Sequence, residues 1–180
     1  MLVVNGTLLT FGANNRIIHN GAIRIQDDLI SDVSTTPELR VKYLGEEELN
    51  AGGKLVMPGL ICAHTHFYGL FARGMSLRQE APADFLQILE RLWWRLDKAL
   101  SFDDIHHSVL VCLIDAIRNG TTTLFDHHAS PRAIKYSLDV IAEAVNQAGL
   151  GVVCAMRLRI AMGQMRLRPA WTRMHALFPR

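Results

Sequence analysis

Pro58-Gly59-Leu60-Ile61-Cys62-Ala63-His64-Thr65-His66 is an apolar run that ends in two histidines one residue apart. In an extended strand successive side chains alternate between faces, so positions two apart project the same way. His64 and His66 can therefore offer two imidazoles to one metal ion while Thr65 turns elsewhere. Imidazole suits zinc, iron, nickel or copper. A His-x-His pair also arises by chance, so its meaning rests on the sequence around it.

Upstream, the first 56 residues read as short strands and turns. Gly21 to Gln26 alternates apolar and polar side chains, Asp27-Asp28 suits a tight turn, and Leu29 to Val33 returns as the partner strand. Residues 38–50 are charged and loosely patterned, and Gly52-Gly53 punctuates before the apolar strand 54–63. Downstream, the spacing of Phe85, Ile88, Leu89, Leu92, Leu96 and Leu100 predicts a helix over 83–100, with Pro82 in its first turn. Trp93 and Trp94 widen its apolar face and are expected to pack in a core, with stacking on a substrate as the alternative. Ser101 with Asp104 three residues on predicts an N-cap and a helix running to about Asn119, closed by Gly120. Thr121 to Asp126 is strand-like, 133–148 carries a helical apolar stripe, and Gly151 to Cys154 opens another strand. Strand, helix, strand, helix, strand is the order of parallel α/β architecture.

Several of these stretches resemble the amidohydrolase superfamily, in its aminohydrolase and chlorohydrolase branch. They are Met57 to Ile61 before the histidine pair, Phe67-Tyr68-Gly69-Leu70-Phe71-Ala72-Arg73-Gly74 after it, and Gly120-Thr121-Thr122-Thr123-Leu124-Phe125-Asp126. Glu90 to Asp97 and Phe125 to Pro131 are most similar to the SsnA-type aminohydrolases, which are associated with selenium metabolism. The resemblance covers about residues 1–154. It implies an α/β fold: about three of the eight strands of a (β/α)8 TIM-like barrel, preceded by part of a small β-sandwich. The corresponding segments are 1–56 for the sandwich, 57–154 for the first βα units, and an Arg-rich tail over 155–180 that the family pattern does not cover. Strands one and two would then end at His64 and His66 and at Asp126, His127 and His128, the rim where such barrels hold their active sites.

The resemblance further implies a divalent metal, zinc or iron, with His64 and His66 as its first two ligands and activated water as the nucleophile. The reaction would be hydrolysis of a non-peptide carbon–nitrogen bond, as in deamination of a small amino-heterocycle. Later histidines, an aspartate and an acid/base glutamate cannot be placed on this chain: after position 128 the only histidine is His175, and no acid follows Glu143. The site is therefore expected to be incomplete, with no catalytic residue assigned. His127 and His128 are alternative ligands, with Asp126 as carboxylate, but neighbouring strand residues face opposite ways and at most one can join. A substrate contact is the reading for His128. Arg73 is either a substrate contact or half of a structural ion pair. His19, His106 and His107 need no special role.

The 180 residues are 49% hydrophobic and 20% charged with a formal net charge of +2, the profile of a soluble globular chain. No apolar run approaches the ~20 residues that span a bilayer, and the amino terminus lacks signal-peptide features. Cys62, Cys112 and Cys154 form no CxxC pair and read as reduced thiols of a cytoplasmic protein. Residues 1–154 hold 13 Lys and Arg against 17 Asp and Glu, whereas 155–180 holds six arginines and no acid. Three readings compete for that tail: a basic amphipathic helix for nucleic acid or membrane, a solvated terminus, or translation out of frame after a frameshift. The loss of acids where the resemblance stops favours the last. Neither nucleic acid nor membrane is expected as a partner, and the resemblance leaves room for a homo-oligomer of an intact parent. Two functions are compatible with these features: an SsnA-like metal-dependent aminohydrolase, present here as an inactive amino-terminal piece, or a truncated product with no enzymatic function of its own.

Overall fold

In the computed structural model, residues 1–76 and 80–156 are described, and the expectations for the tail lie outside them. Two compact units divide at Pro58 and Gly59. In the first, β1 (Leu2–Leu9) alternates buried and half-buried side chains along its length. That is the period-two signature of a strand with one face on a core. β2 (Ile17–Gln26) and β3 (Leu29–Thr35) follow as an antiparallel pair across a turn in which Asp27 takes φ 53°. β1 is antiparallel to β2 and parallel to two short strands, β4 (Glu48–Asn50) and β5 (Leu55–Val56).

A helix, α1 (Thr36–Lys42), lies within the stretch that the sequence pattern leaves mostly loose. Its start is written in Thr35-Thr36-Pro37-Glu38: Glu38 reaches back to accept from Thr35 N–H at 3.5 Å and from the Ser34 hydroxyl. Thr36 Oγ1 donates to Gly21 O and accepts from Asn5 N–H, which ties the helix to β2 and β1. Leu2, Val4, Ala22 and Leu39 form the small core, with Tyr43 against it. This unit is a mixed sheet with one helix.

The second unit begins with β6 (Leu60–Thr65), followed by a 3-10 turn, Phe67–Ala72. The expected helix over 83–100 is present as α2 (Phe85–Ile88), a π turn (Leu89–Trp93) and α3 (Trp94–Ala99). Pro82 stands outside it, because Asp84 is the cap and accepts from Gln87 N–H at 2.8 Å. Within the π turn Trp94 N–H bonds to Leu89 O, five residues back. α4 (Phe102–Arg118) opens on the expected capping box, Asp104 N–H to Ser101 Oγ and Ser101 N–H to Asp104 Oδ2. Its buried stripe is Ile105, Ser108, Val109, Leu113 and Ala116. β7 (Thr121–His128), α5 (Ser137–Ala148) and β8 (Gly151–Met156) complete the unit.

α5 starts four residues later than its apolar stripe suggests. Tyr136, at φ 72°, is left-handed and cannot continue a right-handed helix backwards. The sheet order is β6-β7-β8, all parallel, with Thr65 opposite Asp126 and Asp126 opposite Cys154. Phe67, Leu96, Leu100, Ile105, Val109, Leu113, Leu124, Ile141 and Val152 make its core between sheet and helices. Across the described residues of the sheet, Ile61 and Phe125 remain exposed. No described helix is long and apolar enough to cross a membrane.

Candidate metal site

β6 delivers the histidine pair. His66 follows its last residue with extended backbone (φ −133°, ψ 102°), so the alternation of the strand persists through it. Both imidazoles then fall on one side, with their Nε2 atoms 3.1 Å apart and their rings edge to face. Two metal–imidazole bonds of about 2.0–2.1 Å can meet across such a gap.

The other nitrogen of His66 decides its chemistry. Its Nδ1 lies 2.6 Å from the carbonyl oxygen of His127, an acceptor only, so Nδ1 carries the proton and donates. A neutral imidazole then keeps the Nε2 lone pair for a ligand, as metal-bound histidines do. The donor set fits a divalent transition metal. Among the described residues no group of three or more His, Cys, Asp or Glu side chains is placed to hold one.

β7 supplies the wall beside the pair. The His127 ring stands 5.8 Å from that of His66, Tyr68 5.6 Å and Trp93 6.2 Å. Trp93 is half-buried and packs on the core, as expected, yet it also borders His66. Asp126, buried on the other face of β7, accepts from Phe67 N–H at 2.9 Å and from the Cys154 thiol at 3.2 Å. Burial pushes its carboxyl above the usual range, against the pull of those two donors. Burial and the neighbouring carboxylate likewise push the Cys154 thiol far up, which keeps it a donor.

His128 is where alternation puts it, on the face opposite His127. The side chain is 1% exposed, and its Nε2 lies 2.8 Å from Ser130 Oγ, which in turn donates to Ala133 O. Its Nδ1 has no hydrogen-bond partner among the described residues. Desolvation lowers its pKa to about 4. The ring packs against Tyr68, 5.8 Å between centroids and edge to face, and is enclosed. Arg73 closes the 3-10 turn as its C-cap. It is mostly exposed and ion-paired with Asp115 of α4 at 3.4 Å, beside a shallow cavity lined by Cys62, Cys112 and Asn119. The sequence reading missed Asp126 as an anchor for the residue after His66. A buried carboxylate in a strand was its signal; the partner, 59 residues away, had none.

The model of the amidohydrolase family matches residues 55–169, beyond the residue 154 where the motif-by-motif resemblance stops. A 5-methylthioadenosine/S-adenosylhomocysteine deaminase of Halothermothrix orenii is 28% identical over 152 residues, 84% of this chain and 33% of that protein. A second enzyme of that name, from Syntrophobacter fumaroxidans, is 31% identical over 85% of this chain and 32% of its own length. Among solved structures, atrazine chlorohydrolase TrzN from Arthrobacter aurescens TC1, complexed with zinc, superposes with TM-score 0.70 at 23% identity over 86% of this chain and 35% of that one. Guanine deaminase from C. acetobutylicum, with guanine in its active site, gives TM-score 0.70 at 20% identity over 85% and 35%. The structural likeness establishes the fold, and the family match establishes membership: the chain belongs to the amidohydrolase family. It spans about a third of the length of the curated relatives it matches.

Proposed function

We propose that this member of the amidohydrolase family carries the first two metal ligands, His64 and His66, of a hydrolase that removes an amino group from a small nitrogen heterocycle. The observation that carries the reading is the pair itself: two Nε2 atoms 3.1 Å apart, with the Nδ1 proton of His66 committed to His127 O. The names of the relatives support an adenosine derivative as substrate class, and zinc in the solved relatives supports zinc over iron. The narrower SsnA-type placement rests on Glu90 to Asp97 and Phe125 to Pro131 alone. The partial-barrel reading of β6-β7-β8, as three of eight strands, and a sandwich role for the first unit belong to the same proposal, as does a cytoplasmic setting for the three free thiols.

A metal bound by the pair would supply an activated water at neutral pH. The chain's own residues do the rest of the work visible here. β6 aims both imidazoles to one side, His127 O holds the His66 tautomer, and Trp93 and Tyr68 shield one flank of that ring from solvent. A third ligand and a proton-transferring carboxylate must come from outside the described residues, so catalysis is proposed for the assembled enzyme. Arg73 is retained as a contact for a polar substrate group only if its exposed pair with Asp115 opens.

Zinc titration of the full chain by calorimetry tests the reading. Wild type is expected to bind one zinc, and His64→Ala and His66→Ala each to weaken binding about tenfold or more. Equal binding by all three, or none by wild type, would overturn it.

A further inference from the structure

The two residues that follow one another in β7, Asp126 and His127, grip the two that follow one another after β6, Phe67 and His66. The grips are of different kinds. The backbone oxygen of His127 holds a side chain, and the side chain of Asp126 holds a backbone N–H. A third link, Cys154 Sγ to Asp126 Oδ2, comes from β8 on the far side. A chain of hydrogen bonds thus runs from β8 through β7 to the histidine turn. It crosses the sheet at the register position where Thr65, Asp126 and Cys154 lie side by side.

We infer that Asp126 is a positioning residue for the metal site: by fixing Phe67 N–H it holds His66 where its Nδ1–H meets His127 O and its Nε2 faces His64. The inference rests on the metal-binding reading of the pair, and it adds a residue that contacts neither metal nor substrate.

The geometry explains why one bond is not enough. His66 is attached to its strand by a single χ1–χ2 hinge, and a backbone shift of about one ångström at residue 66 would stretch the 2.6 Å contact past hydrogen-bond distance. Phe67 is fully buried, so its N–H has no water to turn to. With Asp126 removed, the turn at Phe67–Ala72 must move to satisfy that donor or leave it orphaned, and either disturbs the residue before it. Asp126 is itself held from both sides, by Phe67 and Cys154, so its carboxylate cannot follow the turn out.

Two variants of the full chain separate positioning from mere charge. Asp126→Asn keeps an oxygen for Phe67 N–H, whereas Asp126→Ala removes it. The first readout is the His66 tautomer, from long-range 1H–15N spectra recorded without metal. Wild type and Asp126→Asn are expected to show the Nδ1–H form, and Asp126→Ala a mixture with the Nε2–H form. The second readout is zinc titration, where Asp126→Asn should stay within about threefold of wild type and Asp126→Ala should weaken about tenfold, as loss of outer supports does. A wild-type tautomer and wild-type affinity in a folded Asp126→Ala would overturn the inference. So would loss of the Nδ1–H form in Asp126→Asn, which also decides the matter should the alanine variant not fold. If wild type bound no zinc, the metal reading would fall, while the tautomer comparison would still judge the clamp.

Discussion

His128 makes the folded state sensitive to mild acid, and the size of the effect follows from its surroundings. Its Nε2–H donates to Ser130 Oγ, its Nδ1 has no hydrogen-bond partner among the described residues, and the ring is enclosed. A proton added at Nδ1 would create a buried cation with an unmet donor, which is why burial lowers the pKa from 6.5 to about 4. In the unfolded chain the same imidazole titrates near 6.5, so between these values the unfolded state binds the extra proton and stability rises with pH. The contribution is whole above about pH 6.5 and is lost as pH falls toward 4. At 1.36 kcal/mol per unit, the full gap is worth about 3 kcal/mol, and the part lost between pH 7 and 5 is about 2 kcal/mol. The assay is urea unfolding at pH 7 and pH 5, followed by tryptophan emission, since Trp93 and Trp94 lie in the same unit as His128. His128→Gln keeps a donor for Ser130 and does not titrate. Its loss over that interval should be smaller than the wild-type loss by about 2 kcal/mol. An identical loss in both proteins, or an NMR titration of His128 near 6.5, would refute the argument.

Other perturbations test the packing that positions the site. A Cβ on Gly59 would stand 2.2 Å from both Thr122 Cγ2 and Oγ1, so Gly59→Ala should destabilise by about 1–3 kcal/mol in thermal unfolding. Thr122→Gly in the same chain should recover much of that. Ser101→Ala removes the α4 cap and should cost about 1 kcal/mol. Leu113→Ala, in the centre of the core, should cost about 2–5 kcal/mol. Burial pushes the Cys112 thiol up to about 11 and Cys154 further, so both should resist iodoacetamide at pH 8 until the protein is unfolded, as read by mass spectrometry.

Features that depend on near neighbours in the chain could be read from the sequence. The histidine pair is one such case, because strand alternation acts over two residues and continues one step past β6. The α4 cap is another: Ser101 and Asp104 are three apart and their bonds close within one turn. In the sequence Gly59 is only part of a motif, yet its reason is spatial. The start of β6 passes so close to Thr122 that no side chain fits between them. α1 was legible in principle, since Thr35-Thr36-Pro37-Glu38 carries a helix start, but the charged residues after it masked a helix that buries only Thr36 and Leu39. The Asp126–Phe67 bond, and the enclosure of His128, depend on pairing between β6 and β7 across an intervening stretch that no local rule spans.

The π turn shows how a correct local expectation can still miss the feature that matters. A period of 3.6 averages over the helix and reports only that Leu89, Leu92, Leu96 and Leu100 share a face. The structure inserts one residue at Leu89–Trp93, and each residue added to a helix turn rotates the remainder of the helix by about 100°. That rotation lets Trp93 lie against Tyr68 and His66 while Leu96 and Leu100 remain in the core behind them. The irregularity therefore leaves Trp93 both packed on the core and beside the His66 ring, in keeping with the tendency of π turns to occur beside functional residues.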